Sequence, residues 1–237
     1  MKKSKKILIT LIVLVLLLII GMLVYMFFFK TDENEVKVIK TISKYGYTLD
    51  ENETALYKEE FEKLDKVLSA KDVNYEDYAK EISKLFIIDF YTLSNKLSKN
   101  DIGGTQFIKE DMRDNFIDQA RSTFYKYVEV KSDKRTQKLP EVSLIDDVKV
   151  ENTTFVIKDT KTTTTTTTKR RSYKKTATTT VSGTTVDAYK VTISWDYKED
   201  LGYEKEAKMI IIKDDNNKLY IVAVSYTHLT LPTILLV

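Results

Sequence analysis

The stretch Tyr189-Lys190-Val191-Thr192-Ile193-Ser194-Trp195-Asp196-Tyr197 decides the fold class. Its apolar and aromatic residues stand at every second position, with polar residues between them. Successive side chains of a strand point to opposite faces, so this spacing predicts a strand with one buried and one wet face. Working outward, residues 142–150 and 153–157 read as strands rich in β-branched residues. Downstream, residues 204–213 and 219–223 flank Asp214-Asp215-Asn216-Asn217, whose short polar side chains favour a turn, so a hairpin is expected there. From Pro140 onward the period of two predicts an antiparallel sheet of about four strands.

Upstream the period becomes helical. Asp50 and Glu53 stand three apart, as in a capping box, ahead of Tyr57, Phe61, Leu64 and Leu68, which predicts a helix over residues 52–69. Asn74 can cap a second helix with the stripe Tyr75, Tyr78, Ile82, Leu85, Phe86, Leu93 and Leu97. A third carries Met112, Phe116, Ala120, Phe124 and Tyr127, with Ile117 beside them. Each stripe reads as a packing surface. About three helices followed by strands define an α+β domain over residues 48–157 and 187–222. Between the second and third helices, Ser98 to Gly104 ends in a Gly-Gly turn. A phosphate loop needs G-x-x-x-x-G-K-[ST] after a strand, and here a helix precedes and no Gly-Lys follows.

The sheet is interrupted by a Thr-rich insert, residues 158–186, with 14 Thr between positions 160 and 185. Lys158, Lys161, Lys169, Arg170, Arg171, Lys174 and Lys175 face only Asp159, a local excess of +6. It reads either as a solvated hairpin extension or loop, or as a surface for an anionic partner. In the second case Lys169, Arg170, Arg171, Lys174 and Lys175 carry the attraction. Tyr173 is the only stacking ring in that cluster, so nucleic acid is not expected as a partner.

Residues 7–29 are apolar apart from Thr10, Gly21 and Tyr25, and as a helix would span roughly 35 Å at about 1.5 Å per residue. That predicts an uncleaved transmembrane anchor. Lys2, Lys3, Lys5 and Lys6 precede it and Asp32, Glu33 and Glu35 follow it. The positive-inside rule then leaves residues 1–6 as a cytoplasmic tail, with a stalk over residues 30–47 and the domain outside the cell membrane. The four N-terminal lysines outweigh the whole formal charge of +3, so the rest of the chain is close to neutral. The absence of cysteine excludes disulfides, thiolate metal sites and cysteine nucleophiles. No cofactor or metal site is expected.

Residues 224–233 resemble a forward translation of the transposase adaptor used in short-read library preparation, so residues 223–237 are read as a non-native tail. His228, the only histidine, falls within it and is set aside as a base or ligand.

One carboxylate is out of place. At about 100° per residue, Asp89 projects near the centre of the stripe formed by Ile82, Leu85, Phe86 and Leu93. A carboxylate there must be paired, hydrogen-bonded or protonated. Either it fixes helix packing by accepting from a tyrosine, a loop amide or a lysine, or it serves a pocket with Tyr78 or Tyr91.

Three helices followed by an antiparallel sheet behind one anchor resemble the ketosteroid-isomerase-like cone, the nuclear-transport-factor superfold, and that resemblance implies a curved sheet. The string Leu85 to Leu93 with Asn95-Lys96, then Asp101 to Gly104 and Phe107, resembles a group of membrane-anchored proteins of low-GC Gram-positive bacteria. That resemblance covers about residues 38–222 and implies no catalytic residue. The expected function is a non-enzymatic, single-pass module of the cell envelope that binds protein partners or anionic wall polymer. The alternative is a small-molecule-binding or enzymatic cone using Asp89 and a pocket tyrosine.

Overall fold

A computed structural model describes residues 13–22, 37–169, 172–226 and 234–235, with side chains described except at 158–182, 226 and 234–235. The chain divides into two units, Met1–Lys37 and Val38–Val237. In the first, residues 13–22 form helix α1, and every residue of it is exposed, Leu17 and Leu18 at 63% and 67%. Among the described residues no helix is long and apolar enough to cross a membrane. The span expected over residues 7–29 lies mostly outside them, α1 being its described part.

The second unit begins earlier than expected. Strands β1 (Val38–Ile42) and β2 (Tyr47–Asp50) pair antiparallel, so residues 38–47 belong to the domain and not to a stalk. Gly46, at φ +70°, closes the turn by donating its N–H to Ile42 O at 2.9 Å. Tyr45, Tyr47 and Leu49 alternate into the core. The polar residues before them, Lys40, Thr41, Ser43 and Lys44, hide this short alternation in the sequence.

Helix α2 (Ala55–Leu68) buries the expected stripe Tyr57, Phe61, Leu64 and Leu68. Its cap is Thr54, whose hydroxyl accepts from Tyr57 N at 3.2 Å, and not the Asp50–Glu53 box. Helix α3 (Tyr75–Tyr91) is capped by Asn74, which accepts from Glu76 N and Asp77 N, and Glu76 and Asp77 complement its dipole. From Leu85 to Tyr91 every residue of α3 is buried, so it is the central helix. A 3₁₀ turn (Thr105–Phe107) and helix α4 (Glu110–Ser122) follow. The chain turns after Ser122, with Tyr125 N donating to Ala120 O at 2.9 Å. Tyr125 therefore enters the core, while Tyr127, expected on the stripe, is 74% exposed.

The α+β class and the antiparallel sheet of four long strands hold. Strands β3 (Val142–Lys169), β4 (Ser172–Tyr197), β5 (Glu206–Lys213) and β6 (Leu219–Tyr226) pair in sequence order, and the two-residue β7 (Ile234–Leu235) adds a fifth. The two strands expected at 142–150 and 153–157 are one. On β4, Val191, Ile193, Trp195 and Tyr197 are buried and alternate with partly exposed residues, as the opening stretch predicts. Asp214 Oδ1 accepts from Asn216 N and Lys218 N at 2.9 and 2.8 Å, and Asn217 adopts φ 64°, making the expected β5–β6 turn. Tyr91 of α3 meets Trp195 of β4 at 4.7 Å between ring centroids, and Phe90 sits 5.4 Å from each of Phe86, Phe116, Phe124 and Tyr125. The space between central helix and sheet is filled with aromatic rings.

Strands β3 and β4 stay paired from Val142↔Tyr197 to Lys169↔Ser172, through the Thr-rich segment. Strand β5 accompanies β4 only from Ala188 to Ser194. Residues 172–187 of β4 therefore have β3 alone beside them, a two-stranded ribbon roughly 50 Å long at about 3.4 Å per residue.

Candidate functional site

A polar cavity of about 200 Å³ opens where β2, the start of α2 and the loop after α3 meet. Its wall includes four carboxylates, Asp50, Glu53, Asp89 and Asp101, and one cation, Lys96. The local chain path explains the gathering. Helix α3 ends at Tyr91, and Leu93 N and Ser94 N donate to Pro140 O at 2.9 and 3.3 Å, which folds the following segment back. Lys96, only 3% exposed at its side chain, thereby reaches Asp89 and donates to its Oδ1. Arg135 braces the returning segment by donating to Lys96 O and Ser94 O at 2.9 and 2.7 Å.

The other oxygen of Asp89 accepts from Gly104 N at 2.6 Å. This contact explains the Gly-Gly pair. A side chain on Gly103 would collide with the Asp89 backbone carbonyl, and one on Gly104, at φ +76°, would come within 2.6 Å of the Phe86 ring. Tyr125 holds the same loop: its hydroxyl accepts from Gly103 N at 3.1 Å and donates to Phe90 O at 2.7 Å. Across the cavity, Gln106 pairs with both the N–H and C=O of Thr48 and donates to the Tyr57 hydroxyl at 2.8 Å.

Burial sets the electrostatics. Glu53 is pushed up to about 7, first by burial and then by the charge of Asp89. Asp50 is raised for the same two reasons. Burial opposes the charge on Lys96, but Asp89 and Glu53 outweigh it and hold the ammonium above the ordinary lysine range. Tyr57 is raised well above its ordinary value, mainly by burial, and stays neutral.

Of the residues singled out in the sequence, Asp89 lines this cavity and is 8% exposed. The structure does not bring Tyr78 or Tyr91 to it. The Tyr78 hydroxyl lies 2.7 Å from that of Tyr47 and accepts from Leu219 N, while Tyr91 packs on Trp195, so the cavity's tyrosine is Tyr57. The backbones of Lys169, Lys174 and Lys175 lie at the closed end of the ribbon. Arg170, Arg171 and His228 lie outside the described residues. Lys96 was not legible from spacing, since α3 ends at Tyr91 and the chain folds back on Pro140 before reaching it. Among the described residues no three His, Cys, Asp or Glu side chains are placed to hold a metal ion.

Comparisons with protein-family models, with curated proteins and with solved structures find no match to this chain.

Proposed function

We propose that this protein is a non-enzymatic, membrane-anchored module of the bacterial cell envelope whose ribbon engages anionic wall polymer. The observation that carries this reading is the ribbon: 16 residues of β4 pair with β3 alone, in a segment with a local excess of +6. Cationic charge gathered toward the closed end of a two-stranded ribbon attracts a polyanion over several contacts. A non-enzymatic role is supported by the aromatic filling between α3 and the sheet and by the pairing of Asp89 with Lys96 and Gly104 N. Anchoring is supported by the apolar run over residues 7–29 and by α1, which is apolar all round and covered on no face. The helix-then-sheet order supports the cone-like superfold, from which the β1–β2 hairpin and the ribbon depart.

The test replaces residues 160–181 by Asn-Gly in the full chain held in detergent micelles. Co-sedimentation with purified wall polymer should fall at least tenfold, and the binding of the intact chain should weaken steeply with salt. Equal binding by the shortened chain rejects the ribbon as the contact surface.

A further inference from the structure

We infer that the cavity between β2, the start of α2 and the loop after α3 binds a small organic cation with several N–H donors, of the guanidinium or ammonium type. This is independent of the ribbon. Four carboxylates face one lysine, whose ammonium donates to Asp89 and otherwise stands 3.9 Å from Glu53 Oε1. Among the described residues Asp50 and Asp101 are left without an ion pair in a recess of about 200 Å³, and Glu53 has only the distant one. Buried polar groups are ordinarily paired, because an unmet acceptor forfeits its hydration.

The acceptors of this cavity are unmet in a particular way. The Glu53 side chain is only 9% exposed, its Oε2 accepts a 3.3 Å bond from Asn95, and its Oε1 accepts none, the nearest cation being Lys96 Nζ at 3.9 Å. Among the described residues the Asp50 carboxylate has neither a hydrogen-bond nor an ion-pair partner. Asp101 uses one oxygen on Leu97 N at 2.8 Å. Thr48, Thr105 and Gln106 add polar atoms to the same wall.

These oxygens are spread around the recess and do not converge on a point fit for a metal ion. That distribution suits a polyatomic cation whose donors point in several directions, as a guanidinium's do. Protonation competes with such a ligand. Glu53 must lose its proton to present a full charge, against burial and against Asp89, with Asp50, Asp101, Lys96 and Tyr57 as its other charged or titratable neighbours. Binding should therefore strengthen from pH 6 to pH 8 and release protons.

The probe is methylguanidinium chloride, added to the full chain in detergent micelles and compared at equal ionic strength with sodium and tetramethylammonium chlorides. Calorimetry should give saturable binding for methylguanidinium alone, at least threefold tighter at pH 8 than at pH 6. Asp50→Asn should weaken it about tenfold, the scale of one lost charge-assisted hydrogen bond. Glu53→Gln should weaken it and remove most of the pH dependence. Asp50 is half-buried and its carboxylate has no hydrogen-bond or ion-pair partner among the described residues, so Asp50→Asn retains the fold and decides the matter if Glu53→Gln does not. Equal responses to all three salts, or undiminished binding by Asp50→Asn, would overturn the assignment and leave a water-filled recess.

Discussion

The two halves of the β3–β4 hairpin share one hydrogen-bond ladder and differ in everything else. At its root, Val191, Ile193 and Trp195 are at most 1% exposed and pack beneath α3. In its outer half, beyond Ala188, the same strands pair with no third strand, in a segment of threonine and basic residues. Backbone pairing is therefore common to a core and to an appendage. The difference is burial: apolar alternation gives the root something to cover, while threonine favours extended backbone and covers little.

The largest expected effect tests the root. Trp195→Ala should cost about 3–5 kcal/mol, by opening a cavity against Tyr91 and Tyr197, read as a drop in urea midpoint at unchanged slope. A loss below about 1 kcal/mol would mean that the root, like the ribbon, owes little to burial. Next, Lys96→Met should cost about 3 kcal/mol, because Asp89 would remain 8% exposed with only the Gly104 amide to satisfy its charge.

A pair of glycines separates strain from packing. Gly104→Ala should cost about 2–3 kcal/mol, through its positive φ and its collision with Phe86. Gly202→Ala, at φ +77° with nothing within 4 Å of the added carbon, should cost about 1 kcal/mol. Equal losses would remove the close approach as the reason for Gly104.

Glu53 gives a pH signature. Its value in the folded chain is about 7 against an ordinary 4.5, so between those pH values the native state holds a proton that the unfolded chain has released. Its contribution thus erodes stability as pH rises from about 4.5 to 7 and is constant above. Glu53→Gln should be near neutral at pH 4.5 and raise stability by about 1–3 kcal/mol at pH 8, measured by urea unfolding at both. Smallest of all, replacing residues 160–181 by Asn-Gly should change the unfolding free energy measured in urea by less than about 0.5 kcal/mol, since threonine and basic residues bring little apolar area. A large loss would show that the ribbon supports the fold.

How much was legible follows from the range of each signal. The strand 189–197, the Asn74 cap and the Asp214–Asn217 turn depend on residues within about ten positions, and each occurs as read. Asp89 was also legible as a carboxylate on an apolar stripe. Its partners were not, because Lys96 and Gly104 reach it only after the chain has reversed at Thr92. Asp50 and Glu53 misled for a related reason. Their spacing matches a capping box, but Thr54 takes the cap and frees both for the cavity. The β1–β2 hairpin was not legible because its strands are only five and four residues long, and its burial comes from Tyr78 and Phe107, far along the chain.

By itself, then, the sequence determined the local elements: periodicity, caps and turns act between near neighbours, where backbone geometry leaves few choices. It also determined that a carboxylate on α3 would need a partner, since desolvation penalises any unpaired charge. Only the tertiary structure decided which partner that is, which acids share the cavity, and that the threonine segment continues a strand pair. The cavity depends on groups far apart in the chain, Asp89 and Gly104 by 15 residues and Asp50 and Asp101 by 51, meeting after the chain has folded back, and no local rule of spacing carries that information.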